Sequence, residues 1–436
     1  MLFVHKVNEE LEMEYMATVE KLTAEEIDEA HRVLSKVVTH TPLAYDDYLS
    51  KKYKANVYLK REDVQRVRSF KIRGAYYNII KAEKEKLNNG VVAASAGNHA
   101  QGVADTCHNL KIQSTIFMPV TTPNQKVEAV KRFGGQYVTV ILVGDTFDEA
   151  QSAAFEYTEK HNMFFVAPFD DRRTMAGQGT VAVEIFEDAA KQNLAVDYLV
   201  ASVGGGGLIG GLATYSKKTS PQTTVVGVEP QTARSMQAAF EAKKPVTVGN
   251  IDHFVDGAAV ARVSQFTYNQ AQQYVDKLLG IPEGKVAQSV LDLYTYEAIV
   301  AEPAGAMPIA SLDFMASDIV GKNVVLVVSG GNNDIGRMQE MEQKALMYKG
   351  RQQFYLVEFP QRPGALRKFV NDVLGPNDDI TRFEYTKKIN SETGSVMVGI
   401  LLDPVTKVDD LTARLAAFFP KYINLQENTV LFNMLV

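Results

Sequence analysis

A lysine and a run of four glycines carry the strongest chemical signals in this 436-residue chain. The lysine is Lys71, in Ser69-Phe70-Lys71-Ile72-Arg73-Gly74-Ala75, just ahead of the helical pattern AYYNIIKAEKEKL. At a helix start a lysine feels the positive end of the peptide dipoles, and partial burial disfavours its ammonium form further. Such an amine can be neutral near pH 7 and can condense with an aldehyde to a Schiff base. Most lysines are solvated surface residues, so Lys71 gains meaning only from its company. The glycines, Gly204, Gly205, Gly206 and Gly207, stand in SVGGGGL at the end of an apolar run, with Leu208 after them. Backbone without Cβ atoms turns sharply and brings its N–H groups against a phosphate at a helix N-terminus. The turn lacks the Gly-Lys-Ser/Thr ending of a nucleoside-triphosphate loop. A rival reading uses the same residues. Gly205, Gly207 and Gly210 satisfy G-x-G-x-x-G, and Glu229 closes the next apparent strand at about the spacing of a ribose-binding acid, as in an NAD-dependent oxidoreductase. That reading leaves residues 69–102 without a purpose.

The elements that must position these groups alternate in type. Between about residues 25 and 345, short β-branched runs alternate with longer amphipathic stretches, the pattern of parallel sheets covered by helices. The expected buried strands are 91–95, 114–119, 136–142, 198–203, 224–229 and 323–329. Three of them end in glycine-containing turns that lead into helix-like sequence: SAGNHAQG at 95–102, SVGGGGLIGG at 202–211 and SGGNNDIGR at 329–337. In open parallel sheets ligands collect where strand carboxyl ends meet helix N-termini, so these turns are expected to converge on one crevice. After about residue 340 the order changes. A helix in EMEQKALMYKG is followed by strand QQFYLVEF, helix PGALRKFVNDVL, strands DITRFEYTK and SVMVGILL, helix DDLTARLAAFF and strand TVLFNML, a βαββαβ module.

Composition narrows the function classes. Two or three domains are expected at this length. With 46% hydrophobic and 22% charged residues the chain is globular. Its 46 Lys and Arg against 52 Asp and Glu give a net charge of −6, with no long basic run for a phosphate backbone, so no nucleic-acid partner is expected. Residues 351–436 carry ten basic and ten acidic residues, which leaves the −6 in the first 350. The single cysteine, Cys107, excludes an intramolecular disulfide and a thiolate zinc cage and reads as a small buried hydrophobe. The opening MLFVHKVNEELEMEYM lacks the apolar core of a secretory signal. No apolar run approaches the roughly twenty residues that cross a bilayer, and a cytoplasmic location without a membrane partner is expected.

Taken in order, SFKIRGA, SAGNHAQG, AGQGT (176–180) followed by Glu184, SVGGGGL, EPAGA (302–306) and SGGNND resemble the pyridoxal phosphate enzymes of the tryptophan synthase β-like fold. Order and spacing are similar to the biosynthetic threonine dehydratases, or threonine deaminases, over about residues 25–345. The resemblance implies an α/β fold of two open, mainly parallel subdomains within a catalytic domain over 1–345, the smaller one (about 90–167) inserted in the larger. It implies pyridoxal 5'-phosphate as cofactor and Lys71 as the lysine that holds it and moves the Cα proton. It places Phe70 against the cofactor ring, the phosphate on Gly204 to Gly207 and Leu208, and Asn98 on the phenolic oxygen. Ser329 faces the pyridine nitrogen, where a neutral hydroxyl makes the ring a weaker electron sink than a carboxylate would. Glu302 lies near the ring. The substrate carboxylate is received by Ser95, Ala96, Gly97, Asn98 and His99, with a structural role in the first helical turn favoured for His99.

One departure separates relatives of this fold. Serine racemases carry a serine immediately before the glycine of the SxGNH motif, whereas this chain has Ala96, which has no proton to give. Elimination is therefore expected over racemisation. The racemase pattern also has a carboxylate metal ligand where this chain has Ser235, so no divalent metal site is expected, and a monovalent ion near Glu229 stays open. Residues 351–436, with FPQRPGALRKF at 359–369, resemble the α+β ACT-like regulatory domain of threonine dehydratases, with Arg362 and Gly364 in its amino-acid site. A turn with Pro363 as first helical residue explains the same residues without a ligand. The expected activity is conversion of L-threonine to 2-oxobutanoate and ammonia, the first step of isoleucine biosynthesis, by a homo-oligomer (dimer or tetramer) regulated by isoleucine, with valine as an antagonist. The alternatives are a serine dehydratase or racemase of the same fold, the oxidoreductase above, and an amino-acid sensor without catalysis.

Overall fold

The computed structural model describes residues 21–386 and 391–436, so the opening segment read for a signal lies outside the described residues, as does the end of DITRFEYTK at Lys387. The chain divides into two compact units, residues 1–336 and 337–436.

Among the described residues, the first unit holds two sheets. In the larger, the strands lie in the order Leu43–Tyr45, Asn56–Arg61, Asn323–Val328, Tyr198–Ser202, Thr224–Pro230 and Lys277–Ile281. Only the first pair is antiparallel. The central strand places Val324 opposite both Val57 and Tyr198. It is buried from Val324 to Val328, which explains its unbroken aliphatic run: both faces of a helix-covered parallel sheet are dry. The smaller sheet is wholly parallel, ordered Val138–Leu142, Ser114–Met118, Val91–Ala94, Phe164–Phe165. Its strands come from one continuous stretch of chain. All six strands expected from sequence are present, with ends shifted by up to two residues. Four others escaped: 43–45, 56–61, 164–165 and 277–281. Those at 43–45 and 164–165 are two or three residues long, and 56–61 carries Lys60 and Arg61 within its run.

Three helices lie against one another through glycines. The helix Arg172–Lys191 contains the AGQGT motif. A Cβ on its Gly177 would come within 2.6 Å of Arg73 O and Gly74 Cα in the helix Lys71–Ile80. A Cβ on Gly211, in the helix Gly207–Thr219, would meet Met175 O at 2.6 Å and Gly179 N at 2.7 Å. The lysine helix and the helix behind the polyglycine turn are thus both gauged against one rod, at backbone contact.

A buried charge cluster locks the same junction. Arg73 is fully buried and bidentate to Glu62 (Nε to Oε2 and Nη2 to Oε1, both 2.8 Å). It also binds Glu184 (Nη1 to Oε1 2.7 Å, Nη2 to Oε2 2.8 Å), which in turn accepts from Lys60 Nζ at 2.7 Å. Two cations face two carboxylates, so the cluster is neutral and its donors are satisfied. Burial opposes the ionisation of Glu184, but the charges and hydrogen bonds of Arg73 and Lys60 outweigh it and hold the carboxyl well below the usual range.

The second unit begins with the helix Met338–Tyr348 and forms an antiparallel sheet ordered Asp379–Tyr385, Thr393–Leu401, Gln352–Pro360, Tyr422–Asn424. The helices Ala365–Val373 and Val408–Phe418 cover it through Phe369, Val373, Leu411 and Leu415. One element differs from expectation: TVLFNML is a helix, Thr429–Leu435, and the last strand is Tyr422–Asn424. Asn428 caps the helix by accepting from Leu431 N at 3.1 Å, and Leu431, Phe432 and Leu435 pack on Phe354, Met397 and Leu425. Apolar residues at i, i+1 and i+4 suit one helical face, a spacing that a continuous apolar run conceals. Among the described residues, no helix is long and apolar enough to cross a membrane.

Truncating one member of a buried ion cluster strands its partners. Arg73→Met is expected to lower the stability of the first unit by about 3–5 kcal/mol, measured by urea unfolding at pH 7. Because the carboxyl of Glu184 is depressed in the folded state, the wild-type contribution is present above the ordinary carboxylate range and is lost as pH falls below it. The gap between the two proteins should therefore narrow toward pH 3.

Candidate active site

Lys71 is the first residue of its helix, and main-chain bonds fix that start. Phe70 N donates to Ser329 O at 3.1 Å, Gly331 N to Arg68 O at 2.9 Å, and Glu302 N to Gly330 O at 3.1 Å. The segments 68–71, 302 and 329–331 are thereby laced together at the carboxyl end of the central strand. Lys71 Nζ donates to Pro168 O at 2.9 Å and lies 5.4 Å from the Phe70 ring centroid. The amine is deep enough that desolvation lowers its pKa to about 8, against an opposing pull from Glu302.

The next residue along, Phe169, fills the space beside the polyglycine turn. A Cβ on Gly205 would enter the Phe169 ring at 2.2 Å, and one on Gly204 would lie 3.1 Å from Ala258 Cα. Gly206 has φ +92°, a left-handed conformation that permits the turn. The helix Gly207–Thr219 then starts with its N–H groups turned back toward the loop. Pro168 and Phe169 therefore touch the lysine amine and the glycine turn with successive residues.

The SAGNH turn closes a third side. Asn98 opens the helix Asn98–Leu110, donates from Nδ2 to Glu302 Oε1 at 2.6 Å and accepts on Oδ1 from Asn332 Nδ2 at 2.7 Å. Gly97, one residue earlier, has open space where a Cβ would be, and Ser95 Oγ accepts from Gly97 N at 3.2 Å. Ser95, Ala96, Gly97 and Asn98 are all half-buried. Burial, reinforced by Asp256, pushes the Glu302 carboxyl up to about 7, although Asn98 and Lys126 act against it. His99 is buried and its Nε2 lies 2.9 Å from Val166 O, so the ring ties the first turn of its helix to the segment that follows the strand Phe164–Phe165. Desolvation, with the Lys71 charge adding to it, lowers its pKa to about 3, and the ring is neutral at physiological pH.

Glu229 is already engaged by backbone N–H groups. Its buried carboxylate accepts from Met236 N at 2.7 Å and Gln237 N at 3.0 Å and caps the helix Ser235–Ala242. That occupation removes the support for the oxidoreductase reading. Cys107 is buried with its thiol pushed up to about 12 by desolvation, as a small core residue. In the second unit, Gly364 (φ +82°) precedes the helix Ala365–Val373 with open space beside it, and Arg362 is exposed.

An enclosed amine, an N–H-rich turn that side chains would fill, and a carboxamide with hydrogen-bonding capacity to spare suit a phosphorylated aromatic aldehyde. The similarities to known proteins agree. Residues 34–330 match the family described as pyridoxal-phosphate dependent enzyme, and residues 343–435 match the C-terminal regulatory domain of threonine dehydratase. The chain is 52% identical to the L-threonine dehydratase biosynthetic IlvA of Lactococcus lactis over 95% of this chain and 100% of that protein.

The chain belongs to the threonine dehydratase family of pyridoxal-phosphate dependent enzymes.

A second family member, the L-threonine dehydratase biosynthetic IlvA of Halalkalibacterium halodurans, is 53% identical over the same shares of both chains. Among solved structures, the processed form of threonine deaminase isoform 2 from Solanum lycopersicum superposes with a TM-score of 0.70 at 36% identity, covering 75% of this chain and 96% of that one. Maize serine racemase superposes with a TM-score of 0.68 at 25% identity, covering 76% and 100%. Within this family the α/β catalytic region and the antiparallel regulatory module are as expected from sequence. Residues that sequence reasoning quoted without a role are Arg73, in SFKIRGA, and Asn332, in SGGNND. Lys60, Glu62, Pro168 and Phe169 gave no signal, because their work depends on neighbours remote in sequence.

Protonated Lys71 is no nucleophile, so below pH 8 the reactive fraction drops about tenfold per unit. The rate at which cofactor-free protein captures pyridoxal phosphate should rise with pH to about 8 and then level off, as followed by the visible absorption of the bound cofactor. Gly205→Ala, which drives a methyl into the Phe169 ring, should weaken cofactor binding at least tenfold in an equilibrium titration.

Proposed function

We propose that the chain deaminates L-threonine to 2-oxobutanoate and ammonia, with Lys71 as the base at Cα and the phosphate of the cofactor on the turn Gly204 to Leu208. The observation that carries this reading is the enclosed Lys71 amine, held at the end of the strand Asn323–Val328 and joined through Pro168–Phe169 to the polyglycine turn. Family membership at about half identity over nearly the whole length supports the substrate.

Pyridoxal phosphate supplies an aldehyde for the amines of Lys71 and substrate, and a conjugated ring that takes up the electron pair released at Cα. The chain supplies position and protons. Phe70 would pack against the ring and Asn98 would donate to the phenolic oxygen, with Glu302 behind Asn98. The Ser95-Ala96-Gly97-Asn98 turn would receive the threonine carboxylate where Gly97 leaves room, through the N–H groups of Ala96 and Asn98, since those of Ser95 and Gly97 are given to Phe117 O and Ser95 Oγ. With its pKa near 8, Lys71 Nζ is neutral often enough to remove the Cα proton. The β-hydroxyl would leave as water, the proton removed from Cα balancing the one it takes up, and the released enamine tautomerises and is hydrolysed in solvent to 2-oxobutanoate and ammonia. Ser329 would face the ring nitrogen with a neutral hydroxyl, which would hold that nitrogen protonated less well than a carboxylate and so would favour loss of the β-substituent over reprotonation. Ala96, lacking a proton, favours elimination over racemisation. Serine is a second substrate of the same site, since one methyl group separates the two and pockets discriminate weakly on that basis.

The second unit supports regulation by an amino acid, and we assign its site to Arg362 and Gly364, with isoleucine as inhibitor, valine as antagonist, and a homo-oligomer as the responding assembly. Inhibition requires that the effector bind one of two states more tightly.

Keto-acid assays with threonine and serine, with and without isoleucine, test both halves. Lys71→Ala should lose turnover by at least about a thousandfold together with the visible band. Retention of threonine turnover without the lysine would contradict the assignment. Arg362→Ala in the full chain should retain turnover and lose response to isoleucine; unchanged inhibition would refute the regulatory site.

A further inference from the structure

Asn332 ties the SGGNND turn to the SAGNH turn by a chain of amides whose direction is fixed from one end. Its Nδ2 donates to the backbone carbonyl of Val67 at 2.8 Å and to Asn98 Oδ1 at 2.7 Å. A backbone carbonyl can only accept, so the Asn332 carboxamide must turn its nitrogen toward Val67. Asn98 must then turn its oxygen to Asn332 and its nitrogen to Glu302, whose Oε1 accepts at 2.6 Å. An inverted Asn98 would set N–H against N–H at Asn332, whatever the protonation state of Glu302. One Nδ2 hydrogen of Asn98 is spent on Glu302, and the other remains for an acceptor in the cleft.

Asn332 is not among the residues assigned above to the ring, the phosphate or the substrate. Building on the assignment of Asn98 as donor to the cofactor's phenolic oxygen, we propose that Asn332 is a positioning residue that fixes the orientation of the Asn98 carboxamide through the Val67 carbonyl. Without it, Asn98 can rotate by half a turn about its last bond and present oxygen to the phenolic oxygen, which repels. The Glu302 contact alone does not prevent this, because its carboxyl, with a pKa near 7, can also donate once protonated.

The test uses full-length holoenzyme with Asn98→Ala, Asn332→Ala, Asn332→Asp and the Asn98→Ala/Asn332→Ala double variant. Two quantities are read: the dissociation constant for pyridoxal phosphate and the midpoint of the pH titration of the visible band. Asn332→Asp keeps the size and removes the donor hydrogens, so it separates lost orientation from lost packing. Expected are about tenfold weaker cofactor binding for each Asn332 variant, a midpoint displaced in the same direction as in Asn98→Ala, and no additional effect of Asn332→Ala once Asn98 is gone. Additive effects in the double variant, or an unmoved midpoint in both Asn332 variants, would overturn the proposal. An unmoved midpoint in Asn98→Ala alone would instead overturn the Asn98 assignment, and the proposal with it.

Discussion

Backbone-to-backbone contact at glycines is the constraint on which the rest of this active site depends. The helix Arg172–Lys191 meets the lysine helix at Gly177 and the helix behind the polyglycine turn at Gly211, where a methyl group would come within 2.6 Å of main chain. Side-chain packing tolerates shifts, because flexible groups adjust; main chain against main chain does not. The separation between Lys71 and Gly204 to Gly207 is therefore set by the chain itself. The ion cluster of Arg73, Glu62, Glu184 and Lys60 fixes rotation and register at the same crossing, since bidentate pairs accept only a narrow geometry.

Given that frame, the chemistry follows from burial. Enclosure removes water from Lys71, and desolvation makes its amine available as a base at a pH where other lysines are charged. The same burial raises Glu302 to about 7 and lowers His99 to about 3, so at neutral pH the imidazole is uncharged and the carboxyl is partly protonated. A site of this kind stabilises charge that develops on a bound cofactor through oriented amides and N–H groups, which cost little to reorganise. Binding free energy can then serve the phosphate and carboxylate ends of bound molecules, while an amine with a pKa near 8 keeps a neutral fraction at physiological pH.

Much of this was legible in the sequence because its signals are local. A glycine run, a lysine at a helix start and alternating strand and helix patterns each span fewer than about fifteen residues, and six of them in order carry a family resemblance. What stayed hidden depends on distance along the chain. Arg73 reaches Glu184 across 111 residues and Asn332 reaches Asn98 across 234, and nothing near either residue announces its partner. Glu229 shows the opposite error: correct spacing for a ribose acid, but a carboxylate already spent on a helix N-terminus. The terminal TVLFNML misled because a short apolar run fits a strand as well as a helix until its Asn428 cap is seen.

The most direct measurement is a crystal structure of the protein loaded with pyridoxal phosphate. Continuous electron density from Lys71 Nζ to the cofactor, with the phosphate oxygens about 3 Å from the N–H groups of Gly205 to Leu208, is the predicted result. Cofactor density ending on another lysine, or a phosphate seated away from the polyglycine turn, would contradict the account.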